Sequence, residues 1–247
     1  MKKKLVILTG SGISAESGIP TFRASTDALW ENYDVKTVCT HNAWLLNSDH
    51  VNGFYNMLRV KYKDIQPNLA HKLIKELESD FDVSVVTQNV DNLHEKAGSS
   101  KVLHLHGELM KCCSEDDPEN KEFWVELPKE GFGESGLEIP EGELAGDGSQ
   151  LRPYIVFFEE PVPNMKYAIE EVENADILLV IGTSLSVYPA AGLLEYYDVT
   201  KPLYIIDPWE DIKLQLTSKT IIQANHICKG ASEGMKEFVE IIKKVKD

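Results

Sequence analysis

The sequence predicts an α/β fold, a doubly wound parallel sheet with helices on both faces plus a smaller inserted module. Two observations carry this expectation. Short apolar runs recur at Leu5–Leu8, Val83–Thr87, Val102–Leu105, Tyr154–Phe158, Ile177–Ile181, Leu203–Ile206 and Ile221–Gln223, and segments with a period of three to four alternate with most of them. The first run also ends in Gly10-Ser11-Gly12-Ile13-Ser14-Ala15, a G-x-G-x-x-A turn of the kind that opens a Rossmann-like dinucleotide site.

Helices are expected over His50–Ile65, Asn68–Ser79, Asp91–Ala97, Met165–Asn174, Ala190–Tyr196 and Ser232–Val245. Pro67-Asn68 supplies a start and Gly98-Ser99 a stop. The closing Lys243-Lys244-Val245-Lys246 sets cations against the last helix dipole. Two stretches break the alternation. Ala24–Ile65 reads as helical and amphipathic. Cys112–Leu151, rich in Glu, Gly and Pro, reads as a mobile acidic surface excursion. The expected division within one domain is a core of roughly residues 1–23, 80–107 and 152–247, with a small module of roughly 24–79 and 108–151.

The 247 residues carry 25 basic and 40 acidic side chains, a net charge of −15. Such a surface repels nucleic acid and anionic membrane, which need clustered Lys and Arg. No run approaches the roughly 18 apolar residues of a membrane span. Met1-Lys2-Lys3-Lys4 precedes an apolar run of only Leu5–Leu8, too short for a secretory signal. Cys39, Cys112, Cys113 and Cys228 form no C-x-x-C pair and no secreted disulfide pattern. The expectation is a cytoplasmic protein with reduced thiols.

Within the opening turn, Gly10 would allow a tight bend, Gly12 would let backbone approach a pyrophosphate, and Ala15 would let helix and sheet pack closely. The helix start would offer N–H groups and a positive dipole end to phosphate oxygens. An ordinary dehydrogenase would need an acidic ribose ligand about 20 residues on, after a second strand. Here the chain runs into Pro20-Thr21-Phe22-Arg23 and has no β-rich run before Val83, so dinucleotide binding is expected and hydride transfer is not.

Four further clusters sit at the ends of predicted strands, where open α/β sheets bind ligands. Gln88-Asn89-Val90-Asp91 follows the second. Asn89 or Asp91 could cap a helix, but the three polar side chains together exceed that need and favour a site. His104 and His106 share one strand face. A metal pair lacks an obvious third ligand. His106, with Gly107 directly after it, suits a general base near neutral pH, and His104 a structural role. Gly182-Thr183-Ser184 suits phosphate or ribose contacts, or simple punctuation. Asp207, after Ile205-Ile206, is a candidate ribose-hydroxyl acceptor.

In this order the motifs resemble the sirtuin family of NAD-dependent protein deacylases. The matching pieces are TGSGISAESGIPTFR, DALWENYD, TQNVDNLHEKAG, HLHGEL, LRPYIVFFEEPVP, IGTSLSVYPAAG and IIDP, spanning Thr9 to Pro208. The resemblance implies a reaction in which the acyl-lysine oxygen attacks ribose C1′ as nicotinamide leaves, giving an alkylimidate. A histidine then activates a ribose hydroxyl, and water releases lysine and 2′-O-acyl-ADP-ribose. It implies His106 as that base, Asn89 positioning ribose and water, Asp91 orienting nicotinamide and Gln88 holding ribose hydroxyls. Gly10, Ser11, Gly12, Ala15 and Glu16 would line the NAD cleft. Thr21, Phe22 and Arg23 would form a loop over it, with Phe22 shielding C1′ from water. Gly182, Thr183, Ser184 and Asp207 would contact phosphate and adenosine ribose. Val156-Phe157-Phe158 reads as an exposed strand that could pair with an acyl-lysine peptide.

Three departures from the family pattern stand out. The usual structural zinc, held by two C-x-x-C pairs, is not expected, because Cys112 and Cys113 alone cannot supply four ligands. Packing around Phe123, Trp124 and Phe132 would replace it. Ser11 stands where alanine is common, and Glu159 where glycine is usual, which would crowd the acyl-lysine channel. Finally, relatives that remove succinyl groups resemble one another in a Tyr-x-x-Arg pair. Here Tyr55 is followed by Leu58, and Arg59 is one residue late, about 100° round a helix. Acetyl or a longer fatty acyl group is therefore expected over succinyl. ADP-ribosyl transfer or NAD hydrolysis remains an alternative, and a non-catalytic NAD or ADP-ribose sensor a third.

Overall fold

The structure is a computed structural model that describes residues 2–21, 33–183, 188–211 and 224–245. Six parallel strands form the main sheet: β1 (Lys4–Thr9), β2 (Asp82–Thr87), β3 (Val102–His104), β7 (Ile177–Ile181), β8 (Leu203–Ile206) and β9 (Asn225–Ile227), in the order β3-β2-β1-β7-β8-β9. A strand buried on both faces needs apolar residues at every position, and so Leu5–Leu8 and Ile177–Ile181 read as unbroken runs rather than alternating ones. Leu5 and Ile7 face one layer, where α5 (Leu69–Leu77) and α8 (Ala231–Ile242) contribute Ile74, Met235 and Phe238. Val6 and Leu8 face the other, against Ala168 and Val172 of α7 (Met165–Glu173) and Leu193 and Leu194 of the 3₁₀ segment Ala190–Tyr196.

β1 pairs with β2 on one side and β7 on the other. Chain order runs outward from β1 in one direction, β2 then β3, and outward from β7 in the other. The elements that follow go to opposite faces of the sheet, Ile13 of α1 to one and Ala190 and Leu193 to the other, so a crevice opens at the carboxyl ends of β1 and β7.

A second, antiparallel sheet has the order β5-β4-β6, with β4 (Gly107–Ser114), β5 (Val125–Glu126) and β6 (Leu151–Ile155). The helices α2 (Val35–Val38), α3 (His41–Leu46) and α4 (Ser48–Tyr62) join it through Phe54, Tyr55, Leu58, Leu109 and Phe157. The short helices α1 (Ser11–Ala15) and α6 (Leu93–Lys96) lie beside β1 and β2.

Two sequence expectations change, and a third is not covered by the described residues. Val156-Phe157-Phe158 is not an exposed strand: of the Tyr154–Phe158 run, only Tyr154 and Ile155 are strand, in β6, which is buried throughout and pairs with β4. The amides beyond it are already used, Val156 N donating to His106 O, Phe158 N to Cys39 O and Phe157 N to Glu160 Oε2. The Cys112–Leu151 excursion has its own core of Leu127, Phe132, Leu137 and Ile139, with Cys112 facing into it. Phe132 packs there as expected, whereas Trp124 packs against Tyr154, their rings tilted with centroids 4.4 Å apart. The run Ile221–Gln223 lies outside the described residues, and the strand at that edge is β9, three residues long.

Gly107 joins the two sheets. Its φ is +85°, and a Cβ there would lie 2.1 Å from the Tyr154 carbonyl oxygen. Gly107→Ala is expected to lower the thermal unfolding midpoint by roughly 4 °C or more, from a strain of at least about 1–2 kcal/mol. An unchanged midpoint would mean that the turn relaxes freely.

Candidate active site

The turn after β1 meets the turn after β7 backbone to backbone. Gly10 N donates to Ile181 O at 3.2 Å and Gly12 N to Gly182 O at 2.8 Å. A Cβ on Gly12 would sit 2.6 Å from Gly182 Cα. The second glycine of the fingerprint is thus required first for this contact between turns. Ala15, expected between helix and sheet, is exposed on the wall of the crevice instead, and α1 is only five residues long.

Ser14, at 0% exposure, points inward from α1 and joins the two polar side chains that follow β2. Its hydroxyl donates to Asp91 Oδ2 at 2.9 Å and accepts from Asn89 Nδ2 at 3.2 Å. Asn89 Nδ2 also reaches Gly10 O at 3.1 Å. Asp91 Oδ1 accepts the Leu93 amide at the start of α6, so this carboxylate caps a helix as well as facing the crevice. Burial raises the Asp91 pKa, against the lowering effect of those two donors. Gln88 Nε2 donates to Thr183 Oγ1 at 3.0 Å, closing the crevice floor between β2 and β7.

The two histidines separate cleanly by their partners. His104 faces Asn89 O at 2.8 Å from Nδ1 and Glu95 Oε1 at 2.9 Å from Nε2. Both partners are acceptors, so both ring nitrogens carry protons and the ring is an imidazolium. Burial opposes that charge, but the Glu95 carboxylate overrides it and raises the pKa. His104 is therefore a clamp on the Asn89 backbone. His106 Nδ1 donates to Gln88 O at 3.0 Å, which leaves Nε2 as the proton acceptor, and burial lowers its pKa. A neutral imidazole with a free Nε2 is what a general base requires.

These groups border one cleft of about 940 Å³. Its lining comes from the segment after β1 (Gly10, Ser11, Gly12, Ala15, Glu16 and Thr21), from those after β2 and β3 (Gln88, Asn89, Asp91 and His106) and from those after β7 and β8 (Gly182, Thr183 and Asp207). Tyr55, Leu58, Val156, Phe157 and Phe158 line its apolar end. Phe22, Arg23 and Ser184 lie outside the described residues. No Lys or Arg among the described residues lines the cleft, so backbone amides and hydroxyls are what these walls offer an anion. Glu16 spends one oxygen on Ser232 N, at the first turn of α8.

Sequence reasoning missed several residues of the site, one buried behind the cleft and the others on its surface. Ser14 stood inside the fingerprint without a role, since its partners lie more than 70 positions away. Gly230, Ala231 and Trp209 come from segments with no motif. Cys39 meets the Tyr55 hydroxyl, which donates to its sulfur at 3.7 Å; burial pushes the Cys39 thiol up to about 11 and the Tyr55 phenol well above its usual value.

The Sir2 family model matches residues 10–189. The chain belongs to the Sir2 family. An NAD-dependent protein deacylase of Bacteroides thetaiotaomicron is 47% identical over 240 residues, covering 97% of this chain and 98% of that one. One of Helicobacter pylori is 49% identical over 206 residues, covering 83% and 85%. Among solved structures, a Sir2 homologue–NAD complex superposes with a TM-score of 0.81 at 36% identity, covering 100% of this chain and 91% of that one. A Sir2 bound to acetylated peptide gives 0.74 at 27% identity, covering 98% and 94%.

Against the usual Sir2 pattern, Glu159 keeps the backbone conformation of a glycine, with φ +80°, the one non-glycine residue so placed among the described residues. Its carboxylate turns onto Asn42 N at 3.1 Å, at the first turn of α3. Glu160 is pinned by Arg152, by His41 and by the Phe157 amide, which fixes the segment beside the apolar end.

The lowered His106 pKa sets the pH dependence. If His106 is the base, the acid limb of kcat/KM should be centred below the free imidazole value of about 6.5, as the ring protonates. An acid limb centred above about 7 would contradict it.

Proposed function

We propose that this chain is an NAD-dependent protein-lysine deacylase, acting on acyl-lysine in a protein or peptide. The observation that carries the reading is the arrangement of one cleft: glycine turns of a dinucleotide site, a neutral His106 with a free Nε2, and an apolar end, all continuous. Bound NAD would supply an electrophilic ribose carbon with nicotinamide as leaving group. The residues fit a dinucleotide: Gly12 and Gly182 keep the floor free of side chains, Ser11 and Thr183 bring hydroxyls, and Asp207 stands at the end of β8. Asp207 also accepts the Trp209 amide, and burial raises its pKa.

His106 accepts the proton of a ribose hydroxyl at Nε2 and holds its ring by Nδ1–H on Gln88 O. Asn89 and Asp91, fixed through Ser14, orient the reacting ribose and the carboxamide. Phe157 and Leu58 keep water from the acyl end. The division of labour follows the two sheets, the parallel one holding the dinucleotide and the small module closing on the acyl-lysine, with residues 151–155 in the module. Purified protein given NAD is expected to release nicotinamide only with acetyl-lysine peptide, and His106→Ala to lose at least about a hundredfold of that rate. Release indifferent to peptide would move the reading to NAD hydrolysis or ADP-ribosyl transfer. Tight NAD binding without turnover, unaltered by His106→Ala, would make it a sensor.

The acyl group is uncharged, acetyl or a longer chain. Leu58 lines the apolar end, the Tyr55 hydroxyl is engaged by Cys39, and Arg59 is wholly buried elsewhere. A succinyl carboxylate would therefore meet no cation among the described residues. Acetyl-lysine peptide should be turned over at least about tenfold faster than succinyl-lysine peptide, and Leu58→Arg should narrow that gap. Faster succinyl turnover by the unaltered protein would overturn this.

We propose that packing around Leu127, Phe132, Leu137 and Ile139, rather than zinc, holds the module together. Cys112 and Cys113 are neighbours on β4, burial pushes their thiols up to about 11 and about 12, and no group of three or more His, Cys, Asp or Glu among the described residues is placed to hold a metal. Stoichiometric zinc in untagged protein, or a chelator-induced loss of stability, would contradict this. All four cysteines are free thiols, which supports a cytoplasmic setting. No helix among the described residues is long and apolar enough to cross a membrane.

A further inference from the structure

Among the described residues Arg59 is the largest side chain fully shielded from solvent, and no carboxylate there pairs with it. A buried guanidinium without a counter-charge is costly, and an apolar residue of similar volume would fill the space more cheaply. Its hydrogen bonds say what it does instead. Nε donates to Leu109 O at 2.7 Å, Nη1 to Asn56 Oδ1 at 2.8 Å, and Nη2 points to Cys112 Sγ at 3.9 Å. Burial lowers the Arg59 pKa, a further sign of how dry the position is.

Each partner is itself tied to something else. Leu109 N donates to Val90 O at 2.8 Å, so Leu109 is held by its carbonyl from Arg59 and by its amide from the turn after β2. Val90 lies between Asn89 and Asp91. On the far side, the Asn56 amide pairs with both backbone groups of Ile139, its Nδ2 to O at 3.0 Å and its Oδ1 from N at 2.9 Å. The result is a chain of contacts from Ile139 through Asn56, Arg59 and Leu109 to Val90. It links the acidic excursion, the helix that bears Tyr55 and Leu58, and the turn that carries Asn89 and Asp91.

We infer that Arg59 is a positioning residue for the deacylation reaction: its guanidinium fork fixes β4 at Leu109 and through it the Asn89–Asp91 turn. This rests on the deacylase reading above. The role needs a planar fork with donors in several directions, which a lysine ammonium cannot supply. The small module thereby braces the reacting end of the cleft, while the Gly10–Gly12 end is held by the turn after β7 and by the Asn89 side chain.

The test uses the full chain and two variants, Arg59→Lys and Asn56→Ala. Three quantities are measured: kcat with NAD and acetyl-lysine peptide, the Kd for ADP-ribose by calorimetry, and exchange of the Leu109 amide by NMR. For folded Arg59→Lys, kcat should fall at least about tenfold, ADP-ribose Kd stay within about twofold, and Leu109 exchange speed up about tenfold or more. Asn56→Ala should give the same pattern more weakly. A folded Arg59→Lys with kcat and Leu109 exchange near those of the parent would overturn the inference. So would kcat and ADP-ribose affinity falling together, which marks general destabilisation. If Arg59→Lys does not fold, Asn56→Ala decides, and unchanged kcat and exchange there would overturn it. Absence of turnover by the parent protein would fault the deacylase reading, and Leu109 exchange in the variants would then decide the brace on its own.

Discussion

Everything in the cleft depends on one buried polar junction, where Ser14 joins Asn89 and Asp91. β1 and β2 are neighbours in the sheet, so the turns that leave them are brought together whatever their sequence. Ser14 turns that proximity into a fixed geometry, donating to Asp91 and accepting from Asn89 at 2.9 and 3.2 Å. With its partners removed, a buried hydroxyl or amide would cost about 1–3 kcal/mol, so the three side chains hold one another in place. The imidazolium of His104 adds a second grip, on the Asn89 carbonyl, and His106 hangs from the neighbouring Gln88 carbonyl. The general base and the groups expected to orient the ribose are thus set by the same short turn.

The two ends of the cleft answer to different physics. At the glycine end, close contact between Gly12 and Gly182 keeps side chains away and presents backbone and hydroxyls. At the other end the walls are apolar, and the few polar groups there are already satisfied. Tyr55 bonds Cys39, Glu160 is saturated by Arg152, His41 and Phe157 N, and Arg59 faces away into the module. An uncharged acyl chain can enter such a space without leaving a buried group unpaired, whereas a carboxylate cannot.

The parallel core was legible because its strands are buried on both faces and so announce themselves as unbroken apolar runs. The site was legible where chemistry sits at strand ends, as with Asn89, His106 and Asp207. What was missed has physical causes. β4 was not recognised beyond Gly107 because its pairing with β6 shifts register between Gly107 and Cys112, which breaks the two-residue alternation. β9 is three residues, two of them polar. Val156–Phe158 looked like strand because Phe157 is needed in the core, yet its amide is taken by Glu160. The roles of Ser14 and Arg59 gave no signal, since Ser14 meets Asn89 and Asp91, and Arg59 meets Leu109, only across long stretches of sequence.

The central claim is that Ser14, Asn89 and Asp91 act as one unit. A double-mutant cycle on kcat/KM for NAD with Ser14→Ala and Asn89→Ala tests it directly. The account predicts that the double variant is scarcely worse than Asn89→Ala alone, a coupling of at least about 1 kcal/mol. Losses that simply add would mean that the two residues contribute independently, and the junction would not be what organises the site.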